Sequence, residues 1–365
     1  MKLGIVGLPN VGKSTLFNAI TAAGAEISNY PFCTIEPNRA TVPVPDPRLE
    51  KLAEMVKPEK VIPATIEFVD IAGLVKGAHK GEGLGNKFLS HIREVDAIVH
   101  TVRCFSDESI SHVSGTLDPV SDIEVVDLEL IFADIETINN RLEKNKRQAK
   151  TRDKIILFEI DILQKVKANL EGGKPVRSMD LSGQEKEVLD TLFLLTLKPV
   201  LYAANISEED IGKSSQDNEE LKKVQDFARS VNSEVLIVSA KIEEELSRLD
   251  PDERELFVEE LGIHESGIDR LIKSSYKLMD LISFLTIKLP EVRAWTVARG
   301  TRAPQAAGKI HTDFEKGFIC AETIGFKTLM EAGTFNSAKE RGLVRHEGKD
   351  YIINNGDVIL FRFNV

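Results

Sequence analysis

Apolar residues recur along this chain in three rhythms. Residues 2–6 are strand-like and stop at a glycine-rich turn, after which residues 13–22 take helical spacing. Short apolar runs follow at 65–70, 97–102, 199–204 and 235–239, separated by helix-length segments. Strands that are apolar throughout must be covered on both faces, and intervening helices supply the cover. The alternation therefore predicts an α/β fold with a mostly parallel sheet. Between the third and fourth of these runs the period changes. Leu128, Ile131, Ile135, Ile138 and Leu142 fall at steps of three and four, a seam along one helix face. A second helical stretch near 153–170 carries Ile156, Ile160, Leu163, Val166 and Leu170. Joined by the polar stretch 148–152, the two predict an antiparallel helical hairpin. Helices of about 20–25 residues would project its tip some 30–38 Å.

After Ser283 the period returns to strands, at 284–289, 292–297, 318–321, 350–353 and 358–363, with helical pieces near 303–309 and 326–332. This predicts a small α+β domain. The expected organisation is a nucleotide-binding domain from 1–122 and 196–280, a helical insertion at 123–195, and a C-terminal domain at 281–365.

With 42% hydrophobic and 29% charged residues, the 365-residue chain has an ordinary globular composition. No apolar run approaches the ~20 residues that cross a bilayer, and residues 1–6 carry no secretion-type leader, so no membrane association is expected. Cys33, Cys104 and Cys320 are odd in number and far apart, which excludes a disulfide framework and fits a reducing, cytoplasmic setting. No Cys/His cluster has zinc spacing. The net charge of −11 argues against wholesale wrapping of nucleic acid. The charge is uneven, however. Residues 201–262 hold seventeen acidic and seven basic residues, 141–154 hold seven basic and two acidic, and 281–365 hold twelve basic and nine acidic. A polyanion surface belongs to the last two regions, unless these are simply solvated helix faces.

The chemistry starts at Gly7-Leu8-Pro9-Asn10-Val11-Gly12-Lys13-Ser14, which matches G-x-x-x-x-G-K-S/T between a strand and a helix. Backbone N–H groups of such a loop close on phosphate oxygens, and the following helix N-terminus adds partial positive charge. Asn10, Val11, Gly12, Lys13, Ser14 and Thr15 are the expected phosphate contacts, with Lys13 on the β- and γ-phosphates and Ser14 on Mg²⁺. Asp70-Ile71-Ala72-Gly73 ends the next long apolar strand. Asp70 is expected to hold Mg²⁺ through water, and the Gly73 N–H to sense the γ-phosphate. Thr34, in the loop between, is the candidate switch threonine on Mg²⁺.

The base-recognition element departs from the GTPase rule. Guanine-specific proteins carry N-K-x-D after the corresponding strand; here the strand ends in Asn205-Ile206-Ser207-Glu208. The longer Glu208 carboxylate cannot make the same in-plane pair with guanine without shifting. The Asn205 side chain and the backbone of 206–207 are expected to satisfy adenine, so ATP is expected over GTP. Ser239-Ala240-Lys241 fits the last nucleotide loop, with Ser239 and Ala240 near the base. Leu74 stands where a water-orienting glutamine is found in Ras-like proteins, so another group or a cation must assist. Asn10 is a candidate K⁺ ligand. His112 is a candidate catalytic group and His79 its rival, and either is equally readable as a surface loop residue.

The P-loop, the Asn29-Tyr30-Pro31-Phe32-Cys33-Thr34 loop, and Asp-Ile-Ala-Gly-Leu followed by Gly81-Glu82-Gly83-Leu84-Gly85-Asn86-Lys87 resemble the Obg-related branch of translation-factor GTPases. Asn205-Ile206-Ser207-Glu208, Arg293-Ala294-Trp295-Thr296 and Ile310-His311-Thr312-Asp313-Phe314-Glu315-Lys316-Gly317-Phe318 narrow the resemblance to the YchF/Obg-like ATPase family, over essentially the whole chain. The resemblance implies a Mg²⁺- and K⁺-dependent ATPase associated with ribosomes, the large subunit expected, and a C-terminal TGS domain of β-grasp fold. It also implies a catalytic role for a loop histidine matching His112. Contacts to rRNA or tRNA are expected at the hairpin tip (Lys144, Lys146, Arg147, Lys150, Arg152) and in the C-terminal domain (Arg293, Arg299, Arg302, Lys309). The alternatives are an RNA- or ribosome-binding module that holds ATP with negligible turnover, and a true GTPase.

Overall fold

The computed structural model describes residues 1–25, 38–72, 84–107, 117–148, 153–213 and 218–364. In chain order the elements begin β1 (Lys2–Val6), α1 (Lys13–Ala25), β2 (Arg39–Pro43), α2 (Pro47–Val56), β3 (Lys60–Ile62), β4 (Thr65–Asp70) and α3 (Leu84–Glu94). There follow β5 (Ala97–Arg103), α4 (Pro119–Gln148), α5 (Lys154–Glu171), α6 (Gly183–Asp190), β6 (Val200–Asn205), α7 (Glu219–Ser230), β7 (Glu234–Val238), α8 (Ala240–Leu246), α9 (Pro251–Glu260) and α10 (Gly267–Leu278). The chain continues through β8 (Leu281–Lys288), β9 (Glu291–Ala298), α11 (Ala303–Ile310), α12 (Thr312–Lys316), β10 (Phe318–Gly325), α13 (Phe326–Ala332), α14 (Phe335–Glu340), β11 (Arg345–Glu347) and β12 (Asp357–Phe363). The described residues fall into two compact units, 1–25 with 38–40 and 67–271, and 41–66 with 272–364.

The first unit is built on a sheet of order β2-β4-β1-β5-β6-β7, in which β4, β1, β5, β6 and β7 run parallel. Every residue of β5 is buried, as a central strand covered on both faces requires. Val6, Ile71, Ile98 and Val102 pack there with Ile123, Val126 and Leu130 of α4 and Val224 of α7.

Helix α4 changes partner along its length. Its beginning belongs to the sheet core; Ile131, Ile138 and Leu142 join Ile162, Leu163, Val166 and Leu170 of α5 in a second core. The expected seam is therefore present from Ile131 onward, with Ile135 partly buried. Leu128 is an exception: it is 42% exposed. The residues that face the sheet, Ile123, Val126 and Leu130, lie on a different stripe, and α5 is met only beyond that point. Polar clamps tie the insertion down. Asp134 accepts from the backbone N–H groups of Leu195 and Thr196 at 2.8 Å and from the Thr196 hydroxyl at 2.6 Å. Arg177 donates to both carboxylate oxygens of Asp127 at 2.7 and 2.5 Å, and to the Tyr202 hydroxyl on β6. Burial pushes the Tyr202 phenol up to about 12 and the neighbouring His100 imidazole down to about 4. His100 is thus a neutral core residue.

The second unit has a mixed sheet of order β11-β10-β12-β8-β9-β3. β8 and β9 form an antiparallel hairpin, β10 and β12 are antiparallel, and β12 lies parallel to β8 at the centre. Helix α11 lies across one face. Its Ala303, Ala306 and Ala307 have no side-chain bulk to hold it off, and they pack with Phe284, Val297 and Phe361. This is the small mixed domain expected, a helix held by a sheet. Two details differ from the sequence reading. Residues 350–353 contribute only an isolated bridge, Arg302 to Ile352, and the short strand β11 was not anticipated. More important, residues 41–66 were assigned to the nucleotide-binding domain but pack with this second unit. β3 pairs in parallel with β9, from Lys60 opposite Glu291 to Ile62 opposite Arg293. Arg48 at the start of α2 donates to the Asn355 carbonyl oxygen at 3.0 Å. A three-residue strand carries too little periodicity to be assigned to a sheet from sequence.

Among the described residues, no helix is long and apolar enough to cross a membrane.

Candidate nucleotide site

In a doubly wound sheet, ligands meet the loops at the carboxyl ends of the strands, where the chain departs to either side of the first strand. Here β1 lies between β4 and β5, and the loop from Gly7 to Gly12 leaves its carboxyl end. That loop holds its shape through positions only certain residues tolerate. Asn10 has φ of 66° and Gly12 of 90°. A Cβ on Gly12 would sit 2.2 Å from the Asn205 amide nitrogen, and one on Gly7 would sit 2.8 Å from the Thr101 carbonyl oxygen. Both glycines are fixed by close approach. Helix α1 then starts at Lys13, with Ser14 exposed on its first turn.

Lys13 and Asp70 were singled out 57 residues apart, and the fold brings them together. The Lys13 ammonium forms an ion pair with the Asp70 carboxylate, both largely buried. The lysine expected at the phosphates and the carboxylate at the end of β4 thus share one locus, with Ser14 next to Lys13 in sequence. No group of three or more His, Cys, Asp or Glu residues forms a metal cluster among the described residues. Of the residues expected at the metal, the described ones, Ser14 and Asp70, offer a hydroxyl and one carboxylate. These are hard oxygens, which suit a Mg²⁺ ion that keeps most of its shell from water and phosphate.

From there a cleft of about 890 Å³ extends towards β6 and β7, lined by Asn10, Gly12, Thr15, Asn205, Ile206 and Glu208, and by Ser239, Ala240 and Lys241. The structure thus gathers the expected base-end residues against the P-loop. One role changes. Asn205 was expected to read adenine, but its side chain is 4% exposed and committed to the scaffold. Its amide nitrogen donates to the Val11 carbonyl at 2.9 Å, and its carbonyl accepts from the Ala240 N–H at 2.9 Å. It therefore ties the loop from Gly7 to Gly12 to the start of α8. Ile206 presents an apolar wall, with its N–H on the Val238 carbonyl. Asp210 accepts from the Ser207 hydroxyl at 2.8 Å and from Asn218 at 3.2 Å, which folds the 206–210 turn; the Ser207 bond foremost holds its carboxyl below the usual range.

Two residues lining the cleft were missed from the sequence. Phe105 and Asp107 line the base end, and buried Arg103 shapes their loop by donating to the carbonyls of Phe105 at 3.1 Å and Asp107 at 3.2 Å. They follow β5, whose carboxyl end adjoins that of β6, and strand order would have pointed to them. Lys241, already read as part of the last nucleotide loop, has a partner the sequence did not show: its ammonium pairs with Glu208 across the cleft mouth, and that bond raises the lysine pKa. The Glu208 carboxylate that replaces the guanine-reading aspartate thus has a cation of its own. Glu209, Asp210 and Glu244 also line this end of the cleft and add negative charge to it. Thr34, Gly73, Leu74, His79 and His112 lie outside the described residues.

A model described as a 50S ribosome-binding GTPase matches residues 2–131, and the YchF-GTPase C-terminal model, described as a protein of unknown function, matches 281–364. The chain is 56% identical to the ribosome-binding ATPase YchF of Bacillus subtilis, over 99% of both chains. It is 52% identical to the protein of that name from Escherichia coli O157:H7, over 100% of this chain and 99% of the other. Among solved structures, the YchF GTPase of Schizosaccharomyces pombe superposes with a TM-score of 0.89 at 40% identity, covering 99% of this chain and 97% of that one. With likeness of this extent over both units, the chain belongs to the YchF family.

Proposed function

We propose that the chain is a ribosome-linked ATPase that acts in the cytoplasm. It binds ATP in preference to GTP, hydrolyses it with Mg²⁺ and K⁺, and uses the nucleotide state as a switch in translation or stress response. The observation that carries this reading is the junction of Lys13 with Asp70 at one end of a cleft whose other end holds Glu208 paired to Lys241. Relatives named as ribosome-binding ATPases support the substrate and the partner.

In this reading water attacks the γ-phosphorus, the bond to the bridging oxygen of ADP breaks, and inorganic phosphate leaves. Lys13 and the N–H groups of the loop from Asn10 to Thr15 take up charge that grows on the phosphate oxygens. Ser14, Asp70 and Thr34 would hold Mg²⁺, and Asn10 would hold K⁺; these ions supply charge neutralisation at the same oxygens. The Gly73 N–H and His112 are proposed to sense the γ-phosphate and to assist water.

Adenine preference follows from what guanine would need. Guanine requires a free carboxylate for its N1–H and N2–H₂ donors, and Glu208 is engaged by Lys241. Adenine requires no carboxylate, and the backbone of 206–207 and 239–240 offers it donors and acceptors. The proposed RNA contacts fall on Lys144, Lys146 and Arg147, all exposed near the end of α4, on Lys150 and Arg152, and on Arg293 and Lys309. Arg299 and Arg302 are weaker candidates, because each has an acidic partner, Asp280 at 2.8 Å and Asp350 at 3.1 Å.

Single-turnover phosphate release from ATP and GTP, with and without ribosomes or large subunits and in K⁺ or Na⁺, tests the proposal. The expected result is slow release from ATP, faster in K⁺ and with ribosomes. Tighter binding of GTP than ATP, or no release under any condition, would overturn it.

A further inference from the structure

The second unit contains a cleft of about 630 Å³ to which no role in nucleotide hydrolysis falls. Its walls come from β8, β9 and β12, with Ile310 of α11 and Phe314 of α12. Trp295 on β9 lies half-buried there, its indole N–H donating to the Thr286 hydroxyl at 2.9 Å. The Arg293 guanidinium lies over the indole, 3.9 Å from the ring centroid. Phe314 and Phe363, stacked with centroids 3.7 Å apart, also line the cleft. Exposed Lys60 and Lys288 stand at its rim against one lining carboxylate, Glu291, and Arg362 adds a third cation whose Nε is bonded to Glu322 at 3.0 Å.

Two features point to a ligand. The Arg293 Nε is buried with no hydrogen-bond partner, and the nearest carboxylate, Glu291, stands 3.9 Å from another nitrogen of the same group. A buried N–H without an acceptor is costly unless something supplies one. The second feature is the combination of a planar cation on an aromatic ring with a cationic rim, in a chain of net charge −11. A flat π-system bearing hydrogen-bond acceptors on its edge would satisfy both the stack and the orphaned donor, and a linked series of anions would satisfy the rim. A nucleobase within a phosphodiester strand has this chemistry. In a duplex the base faces are hidden, so the strand must be unpaired.

We propose that this cleft binds an unpaired nucleotide of single-stranded RNA, the base stacking against the Arg293–Trp295 pair and the flanking phosphates meeting Lys288, Lys60 and Arg362. The choice of RNA rests on the ribosome-linked reading above; the cleft itself does not.

Trp295 is the chain's one tryptophan, so its fluorescence reports on this cleft directly. The full-length protein is titrated with a short unstructured oligouridine RNA, without ATP, at several salt concentrations. Saturable quenching that weakens with salt is expected. Lys288→Glu, an exposed change that spares the core, should weaken binding about fivefold and flatten the salt slope. Arg293→Ala should weaken it about tenfold, and Arg293→Lys nearly as much, since a lysine keeps the charge but not the plane. Absence of quenching, or quenching indifferent to both Lys288→Glu and Arg293→Ala, overturns the proposal. So does equal response to uridine monophosphate, to duplex RNA or to an acidic peptide, each of which reassigns the cleft. Ribosome co-sedimentation of the wild type is run in parallel. Pelleting without quenching removes the cleft and leaves the ribosome-linked reading standing; quenching without pelleting does the reverse.

Discussion

The two six-stranded sheets offer a ligand different things. In the first, the parallel sheet is covered on both faces, and β5 has no exposed residue along its length. Only the carboxyl ends of its strands and the loops and helix starts that follow them can meet a ligand, so the Lys13–Asp70 junction and the base-end cleft are assembled there. In the second, β8 is buried from Leu281 to Leu285 and opens at Thr286, while β9 alternates between buried and partly exposed positions. There the strands' own side chains, Arg293 and Trp295, stand in a cleft. The lesson concerns separability. Where a covered sheet presents a site only through loops, site residues can change without touching the core. Where an open sheet presents its face, packing and recognition share residues.

The strongest way to break this distinction is at Lys13. Lys13→Ala removes the phosphate cation from a loop site and should lower ATP turnover by about a hundredfold or more. Circular dichroism and the unfolding midpoint should stay near wild type. Loss of the fold together with activity would show that loop and core are not separable. The converse test lies inside the covered sheet, at His100. Burial lowers its pKa to about 4 from 6.5. As pH falls, the unfolded chain therefore takes up the proton first. The stability contribution is complete above about pH 6.5 and is lost as pH falls towards 4. The loss is roughly 3 kcal/mol. His100→Gln should remove that share of the acid sensitivity, measured as urea midpoints across this range. A variant as acid-sensitive as wild type would break the assignment.

What was legible in the sequence follows the same division. Continuous apolar runs marked the parallel strands, and the G-x-x-x-x-G-K-S turn and Asp70 marked two segments that the fold brings together, because loop motifs are contiguous and chemically restricted. The heptad spacing gave the α4–α5 contact from Ile131 onward but not the outward turn of Leu128, which depends on where α4 exchanges the sheet for α5. Residues 41–66 were misassigned because the partner of β3 lies some 230 residues away and three residues carry no period. Asn205 was expected to read adenine, and the structure gives its side chain two protein partners instead. An amide beside a base site and an amide joining two loops are identical until the partners at Val11 and Ala240 are seen.

Asn205 sharpens the comparison from within the site, because it is a base-end residue with a polar side chain packed like core. Asn205→Ala strands the Ala240 N–H and the Val11 carbonyl in a buried setting, at about 2 kcal/mol. Both the melting temperature and ATP affinity should fall, the latter about tenfold. Calorimetric titration beside thermal unfolding separates the roles. A loss of affinity with an unchanged melting temperature would return Asn205 to direct base reading.

The smallest expected effect is at Lys241, which tests whether loop residues tune selectivity independently of everything beneath them. Its ammonium is 67% exposed and its partner Glu208 37%, so breaking the pair should leave stability unchanged, as for surface ion pairs generally. What changes is the freedom of the Glu208 carboxylate. Lys241→Met removes the competing cation and leaves a carboxylate at the position from which guanine would be read. GTP should gain on ATP by roughly threefold, the modest size reflecting solvent exposure. The longer glutamate arm still meets guanine out of plane. Adding Ile206→Lys and Glu208→Asp, which restores the N-K-x-D pattern, should carry the preference further towards GTP. Competition of the two nucleotides for the apo protein measures both steps. If Lys241→Met leaves the ATP-to-GTP ratio unchanged while the triple variant shifts it, Glu208 is unable to read guanine by its length alone and Lys241 is a bystander. If neither shifts, base preference resides in the backbone of 206–207 and 239–240, beyond the reach of side-chain substitution.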